Sequence, residues 1–239
     1  FHMALTTMDM GSGGEKGKFV GDTKVLSRNT ANLKSKFSDL IRQGESGSSL
    51  ERGIGAAAAA LTEPLISSVN TGFLRLGSLL AIIFISNEDD HSSQSPEDLA
   101  NLLDTIRPEG DFGRNWIVNY IGITEPDGYC RTSGNYSDPG DRYMDLVDFS
   151  NGVQENICEE NLSPALSNLK KRIVSQLTQF KLKDNADEAT IVVTNNGKKV
   201  KKNPENGWSY NSGKNAVAFH GSAIPSADDV IRIKYDILR

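Results

Sequence analysis

The hydrophobic pattern of residues 1–183 consists of short apolar runs separated by segments with a helical period. The unbroken apolar run at 79–86 predicts a strand buried on both faces, as in a parallel sheet covered by helices. Residues 116–124, "WIVNYIGIT", predict a second buried strand, and residues 1–7 predict a third. Apolar residues at helical spacing predict helices at 30–41, 49–61, 95–106 and 162–174. Strands that alternate with helices indicate an α/β fold with a mostly parallel sheet.

The helix at 95–106 has the clearest local signals. Ser95 is a typical N-cap, and Pro96 occupies the first turn, where its missing N–H costs nothing. An apolar stripe follows at Leu99, Leu102, Leu103 and Ile106. These signals predict both where the helix begins and which face is buried.

The pattern changes after about residue 183. Short alternating runs follow, separated by Asn-Gly and Ser-Gly turns, and Asn196-Gly197 is a strong hairpin signal. We therefore predict two domains: an α/β domain at 1–183 and a small antiparallel β module at 184–239. The lysines of the predicted hairpin, Lys198, Lys199, Lys201 and Lys202, fit a solvated strand edge or a surface that docks onto an anionic partner.

Composition and charge narrow the classes of function. The chain has 239 residues, of which 37% are hydrophobic and 24% charged, as in ordinary globular proteins. Its formal net charge of −5 argues against nonspecific nucleic-acid binding, which needs a basic surface. We expect no transmembrane segment, because no apolar run approaches the roughly 20 residues that cross a bilayer.

The two cysteines, Cys130 and Cys158, lie in polar, loop-like surroundings. A pair this close in sequence forms a disulfide in an oxidising compartment and stays as two free thiols in a reducing one. We expect the disulfide.

Candidate chemistry lies at the carboxyl end of the 79–86 strand. Loops at this end of parallel strands converge on one edge of a sheet. The strand ends in a polar run, Ser86, Asn87, Glu88, Asp89 and Asp90, and a second polar segment, "GESGSS" at 44–49, begins a predicted helix. Both segments supply the oxygen ligands that Mg²⁺ and Ca²⁺ prefer. Alternatively, the acids are solvated loop residues and Ser48 or Ser49 is only a helix cap.

An enzymatic function has less support. His2, His91 and His220 lack a nucleophile at motif spacing, and no Gly-x-Ser-x-Gly sequence occurs. The adjacent acids at 88–90 could act as the acid and base of a hydrolase, but neighbouring residues on one loop rarely present carboxylates across a substrate. We expect a protein that is not an enzyme.

Several segments together resemble the von Willebrand factor type A domain of bacterial envelope and secreted proteins. "FHMALTTMD" is similar to the second strand of that fold, "GSSLERGI" to its turn into a helix, and "NTGFLRLGSLLAIIFISNEDDHS" to its fourth strand and the following loop. The segments "DRYMDLVDFSNGVQENIC" and "TIVVTNNGKKV" also resemble this bacterial subgroup, so the resemblance spans nearly the whole chain.

The resemblance implies a Rossmann-like sheet with a metal-ion-dependent adhesion site. The implied ligands of Mg²⁺, Mn²⁺ or Ca²⁺ are Ser48, Asn87 and Asp89, and the implied partner-binding residues are Ser48, Ser49, Glu88, Asp89 and Asp90. Two departures from the family weaken the metal site. Asn87 stands where the family has Asp, and the Asp-x-Ser-x-Ser loop after the family's first strand is absent.

The family's first strand is absent as well, which would leave a slot between the strands at 1–7 and 79–86. A missing central strand opens a gap of roughly 10 Å with unpaired backbone on both sides. We expect that another segment fills this slot: preceding chain, a cleaved piece or a partner. Direct hydrogen bonds between the strands at 1–7 and 79–86 would refute this prediction.

These observations lead to three functional hypotheses. The first is a bacterial extracytoplasmic protein, at the outer-membrane surface, in the periplasm or secreted, that binds a protein ligand at the sheet edge, with a divalent cation if the site is complete. The second is a structural subunit of a surface assembly that contacts a neighbouring subunit through the β module or the open slot. The third is a metal-dependent hydrolase.

Overall fold

A computed structural model describes residues 1–44, 47–110, 114–125, 130, 138–226 and 229–238. Within these residues the protein is mixed α/β. The helices are α1 (Leu33–Leu40), α2 (Gly53–Ala60), α3 (Pro96–Ile106), α4 (Asp141–Ser150) and α5 (Ser163–Thr178). The strands are β1 (His2–Met3), β2 (Leu26–Ser27), β3 (Leu80–Ser86), β4 (Trp116–Gly122), β5 (Gln154–Asn156), β6 (Gln179–Lys181), β7 (Val192–Asn195), β8 (Lys198–Lys199), β9 (Trp208–Asn211), β10 (Ala216–Phe219) and β11 (Ile231–Lys234).

The main sheet is parallel and has the order β3-β4-β5. Every residue of β4 is buried, as its apolar run predicts. Side chains of β3 and β4 pack with α2, α3 and α4 in one core, in which Trp116, Tyr120 and Tyr143 are the largest fully buried side chains. The predicted class, an α/β fold with a parallel sheet, is confirmed at this level, whereas no observation here identifies a von Willebrand A fold.

The prediction that β3 is buried on both faces is wrong. Leu80 and Phe84 are buried on one face, whereas the side chains of Ile83 and Ile85 on the other face are 41% and 59% exposed. The strand pairs only with β4 among the described residues, so it lies at an edge of the sheet. An unbroken apolar run shows that a strand prefers burial, but its neighbours decide how much of it is covered.

The N-terminal region is less regular than its pattern predicts. The strand predicted at 1–7 is limited to β1, which pairs with β2 in an antiparallel two-stranded sheet. Among the described residues no backbone hydrogen bond joins β1 to β3. The direct hydrogen bonds that would refute a slot between these two strands are therefore not seen, and a segment that fills the slot stays a prediction.

The helices agree best with the sequence where the signals are local. In α3 the Ser95 hydroxyl accepts from the Asp98 N–H at 3.1 Å, and the Asp98 carboxylate accepts from the Ser95 N–H at 2.8 Å, which completes a capping box. Helix α1 begins at Leu33, three residues later than predicted, and the Thr30 hydroxyl accepts from the Ser27 N–H before the helix begins.

The C-terminal part contains two antiparallel three-stranded sheets, β6-β10-β9 and β11-β7-β8. They enclose a separate core that includes Val193, Trp208, Val217 and Phe219. The hairpin at Asn196-Gly197 is confirmed, because both residues adopt the positive φ that its turn requires, 49° and 79°. Hydrogen bonding of these sheets begins at β6, before the boundary predicted after residue 183.

A disulfide joins Cys130 to Cys158, with their Cα atoms 5.2 Å apart. Both cysteines are buried beside Ile123. The predicted pairing is confirmed in the structure, and such a bond is typical of proteins in oxidising compartments.

Within the described residues no helix is long and apolar enough to cross a bilayer.

Candidate functional site

The carboxyl end of β3 is joined to the segment at 47–52 through Glu51. The Ser86 hydroxyl donates to the Glu51 carboxylate, and the His91 N–H donates to the Glu51 carbonyl oxygen at 2.8 Å. The Glu88 N–H in turn donates to the Ser86 hydroxyl oxygen at 3.0 Å. The polar end of β3 therefore lies next to Glu51, which follows the polar segment at 44–49, at one edge of the parallel sheet.

The segment that follows β1 reaches the same region through Met8 and Asp9. The Asp9 carboxylate accepts from the Gly11 N–H at 2.7 Å and from the Ser48 N–H at 3.2 Å. The Arg52 N–H donates to the Met8 carbonyl oxygen at 2.9 Å. Asp9 and Glu51 were not predicted from the sequence, although Asp9 lies just after the strand predicted at 1–7, and that position is the signal that could have identified it.

Asp90 caps the amino terminus of α2. Its Oδ1 accepts from the Ile54 N–H and from the Ser92 hydroxyl, both at 2.9 Å, and its side chain is fully buried. Arg142 forms an ion pair with it at 3.6 Å. Because α2 has no side-chain cap of its own, Asp90 provides the negative charge that the helix terminus favours.

Asp89 has a similar contact with α4. Its Oδ1 accepts from the N–H of Arg142, in the first turn of that helix, at 3.0 Å. Helix α4 also lacks a side-chain N-cap, since Gly140 precedes it. Helix capping therefore explains a large part of the contacts of both Asp89 and Asp90.

Asn87 and Glu88 differ from the two aspartates. Both are half-buried, and neither side chain has a hydrogen bond or ion pair within the described residues. Ser48 and Ser49 are exposed, and the Ser48 hydroxyl oxygen accepts from the Leu50 N–H at 3.2 Å. Residues 45 and 46 of the predicted turn lie outside the described residues.

Electrostatics at this edge are dominated by negative charge. Burial raises the pKa of Glu51, and the charges of Glu88 and Asp90 raise it further, while the hydrogen bond from Ser86 opposes them. Burial also raises the pKa of Asp89, with added repulsion from Asp141 and Asp90. Burial is the largest cause of both raised pKa values, and repulsion between neighbouring carboxylates is the smaller contribution that a bound cation would relieve.

We call Asp9, Glu51, Glu88, Asp89 and Asp90 the acidic edge. In the part of the chain that the structure describes, no group of three or more His, Cys, Asp or Glu side chains is arranged to hold a metal ion. The metal ligands implied by the resemblance, Ser48, Asn87 and Asp89, thus stay a prediction, as do the partner-binding residues. Asp90 has no exposed side-chain surface to offer a partner directly.

The histidines add one contact that sequence spacing did not indicate. His220 Nε2 and the Ser209 hydroxyl lie 2.7 Å apart in the β module. Among the described residues no carboxylate hydrogen-bonds to the other ring nitrogen, so the third member of a catalytic triad is not seen there. His91 is exposed, and His2 contacts the Phe73 carbonyl oxygen at 3.0 Å.

Comparisons of this chain with protein-family models, with curated proteins and with solved structures find no match. The class that the fold defines is therefore a mixed α/β protein with a parallel three-stranded sheet and a disulfide. The resemblance to von Willebrand A domains stays a hypothesis.

Proposed function

We propose that this protein is an extracytoplasmic interaction module that binds a protein partner through the acidic edge, with a divalent cation between the two. The observation that carries the proposal is the half-buried Glu88 carboxylate, which has no partner within the described residues although it lies in a cluster of acids. Half-burial without a counter-charge is unfavourable, and a cation supplied from outside would compensate it.

The structure suggests which oxygens such an ion would use. Glu88 provides a carboxylate and Asn87 provides an amide oxygen, both free of other contacts among the described residues. The Asp89 carboxylate already accepts from the backbone N–H groups of Arg142 and Asp90, and its remaining lone pairs would supply a further ligand. Oxygen ligands of this kind suit Mg²⁺, Mn²⁺ and Ca²⁺, and coordination positions left open would accept an acidic group of the partner.

Calorimetric titration with Mg²⁺, Mn²⁺ and Ca²⁺ tests this proposal. We expect saturable binding by the wild-type chain and at least a tenfold loss of affinity in Glu88→Gln. The matched control is Glu160→Gln, which removes one negative charge from an exposed position and should leave the affinity unchanged. Absence of binding, or an equal loss in the control, would reject the cation-dependent site.

A second candidate function is a structural subunit of a surface assembly, and the edge of β3 that pairs with no other described strand favours it. The Leu80 N–H donates to the Asn115 carbonyl oxygen at 3.0 Å. Because backbone groups of alternate residues point to opposite edges, those of Ala81, Ile83 and Ile85 point away from β4. Their side chains form the uncovered face of the strand, and an added apolar strand would pair with this backbone.

Analytical ultracentrifugation distinguishes the two candidates. Assembly that rises with protein concentration, persists in EDTA and is abolished by Ile83→Lys would support the structural subunit. Leu76→Lys is the control, because Leu76 is 96% exposed and lies outside the strands. A chain that stays monomeric at all concentrations and binds divalent ions would support the interaction module instead.

A further inference from the structure

The β module contains an open cleft of about 420 Å³. The described residues that line it lie between 195 and 223, and none of them belongs to the acidic edge. Its walls come from the β7–β8 hairpin, the loop before β9 and the short 3₁₀ turn Gly221–Ala223. The polar residues that line it are Asn195, Asn196, Lys198, Lys199, Lys201, Asn206 and Ser222. No Asp or Glu is among the described residues that line it, and the nearby Asp229 carboxylate is bound by the side-chain amides of Asn195 and Asn196.

The lysines of this cleft carry positive charge that no described residue neutralises. Lys198, Lys199 and Lys201 are exposed, and within the described residues none of their ammonium groups has an ion pair or a hydrogen bond. Lys202 differs, because it pairs with Glu188 at 2.7 Å and lies over the Trp208 ring. Three unpaired cations around one concavity, in a chain of net charge −5, form a local site for anions.

The walls of the cleft are fixed by contacts between loops. The Ser222 N–H donates to Asn206 Oδ1 at 3.2 Å. A Cβ added at Gly221 would lie 2.2 Å from that same oxygen, so the two loops approach each other as closely as glycine permits. Because Oδ1 is held by Ser222, the Asn206 NH₂ group is left as a donor at the cleft.

Asn195 adds an acceptor that lacks a donor. Its Nδ2 donates to Asp229 Oδ2 at 2.8 Å, which fixes the orientation of the amide. Its Oδ1 is buried and has no hydrogen-bond partner within the described residues. A buried carbonyl oxygen without a donor is unfavourable, and a hydroxyl group that entered from the cleft would satisfy it.

We propose that this cleft binds an anionic glycan, a sugar chain that carries sulfate, phosphate or carboxylate groups. The three ammonium groups match spaced anionic groups, and the Asn206 donor and the Asn195 acceptor match sugar hydroxyls. Among the described lining residues, Val200 and Ala223 alone contribute apolar side chains, and these do not form a side-chain pocket of the kind that peptide recognition uses. The proposal does not depend on the function assigned to the acidic edge.

Fluorescence anisotropy with a labelled, short dextran sulfate tests the proposal on the whole chain. We expect saturable binding at 50 mM NaCl that weakens steeply at 300 mM, since ion-pair contacts are screened by salt. The variant Lys198→Gln/Lys199→Gln/Lys201→Gln should bind at least tenfold more weakly. A single Asn206→Ala substitution should weaken binding severalfold without changing the dependence on salt.

The matched control is Lys170→Gln/Lys171→Gln/Lys214→Gln, which removes the same charge from exposed positions outside the cleft and should bind within twofold of wild type. Circular dichroism checks that each variant is folded. Any of three results would overturn the proposal: no saturable binding, an equal loss in the control, or tighter binding of polyglutamate or of phosphatidylglycerol vesicles than of dextran sulfate.

Discussion

Removal of the Asp90 carboxylate is the sharpest test of how the acidic edge is built. The Asp90 carboxylate accepts from the Ile54 N–H and from the Ser92 N–H, both at 2.9 Å. Asp90→Ala leaves both donors without their acceptor. It also leaves Arg142 without its buried counter-ion. Nothing in the alanine side chain can replace these contacts.

The size of the effect follows from the kinds of contact that are lost. Loss of a helix N-cap costs about 1 kcal/mol, hydrogen bonds to a charged group contribute about 1.5–3 kcal/mol each, and breaking a buried ion pair costs about 3–5 kcal/mol. These contributions overlap and do not add. We expect Asp90→Ala to lower the free energy of unfolding by about 4 kcal/mol, a large share of the 5–15 kcal/mol typical of a domain.

Urea denaturation followed by circular dichroism measures this change. Asp90→Asn should lose about half as much, because the amide keeps one acceptor oxygen and the shape of the side chain. It also provides a measurable variant if Asp90→Ala does not fold. Asp22→Ala, at an exposed site, should lie within about 0.5 kcal/mol of wild type. A loss below about 1 kcal/mol for Asp90→Ala would refute the capping role.

Three further predictions concern other parts of the molecule. Gly53→Ala should lower the free energy of unfolding by about 1–3 kcal/mol, because the added Cβ would lie 2.6 Å from the Tyr143 hydroxyl oxygen. Gly55→Ala should cost less, because its Cβ would lie 3.2 Å from the nearest atom. If urea denaturation gave the reverse order, it would contradict this packing. Cys130→Ser/Cys158→Ser removes the disulfide, which closes a loop of 28 residues, and should lower the free energy of unfolding by about 3–4 kcal/mol. An unchanged melting temperature would show that the disulfide does not stabilise the fold. The pKa values of Glu51 and Asp89 are raised in the folded state above their ordinary values of 4.5 and 3.8. The free energy of unfolding should therefore fall as pH rises from these ordinary values through the raised ones. Glu51→Gln should make this dependence on pH shallower, and an unchanged dependence in the variant would contradict the prediction.

Local signals in the sequence were sufficient for some elements. The start of α3 could be predicted because Ser95, Pro96 and Asp98 interact within a single turn. The hairpin at Asn196-Gly197 could be predicted for the same reason, since only a few residues tolerate its backbone conformation. Burial of β4 followed from its length and continuous apolar character.

Long-range contacts decided the features that the sequence could not predict. Asp89 and Asp90 were recognised as a polar rim, but the helices that they cap begin at residues 141 and 53, far from both in sequence. The exposure of Ile83 and Ile85 depends on which strands lie beside β3, and that information is absent from the strand itself. The role of Glu51 depends on a contact with Ser86 across 35 residues.

The central claim, a divalent cation at the acidic edge, is tested most directly by locating the ion. Crystals of this chain soaked in MnCl₂ would give an anomalous difference map at the manganese absorption edge. We predict a peak within coordination distance of the Glu88 carboxylate, with Asn87 or Asp89 as a second ligand. A map with no peak at this edge, or with peaks only elsewhere on the protein, would contradict it.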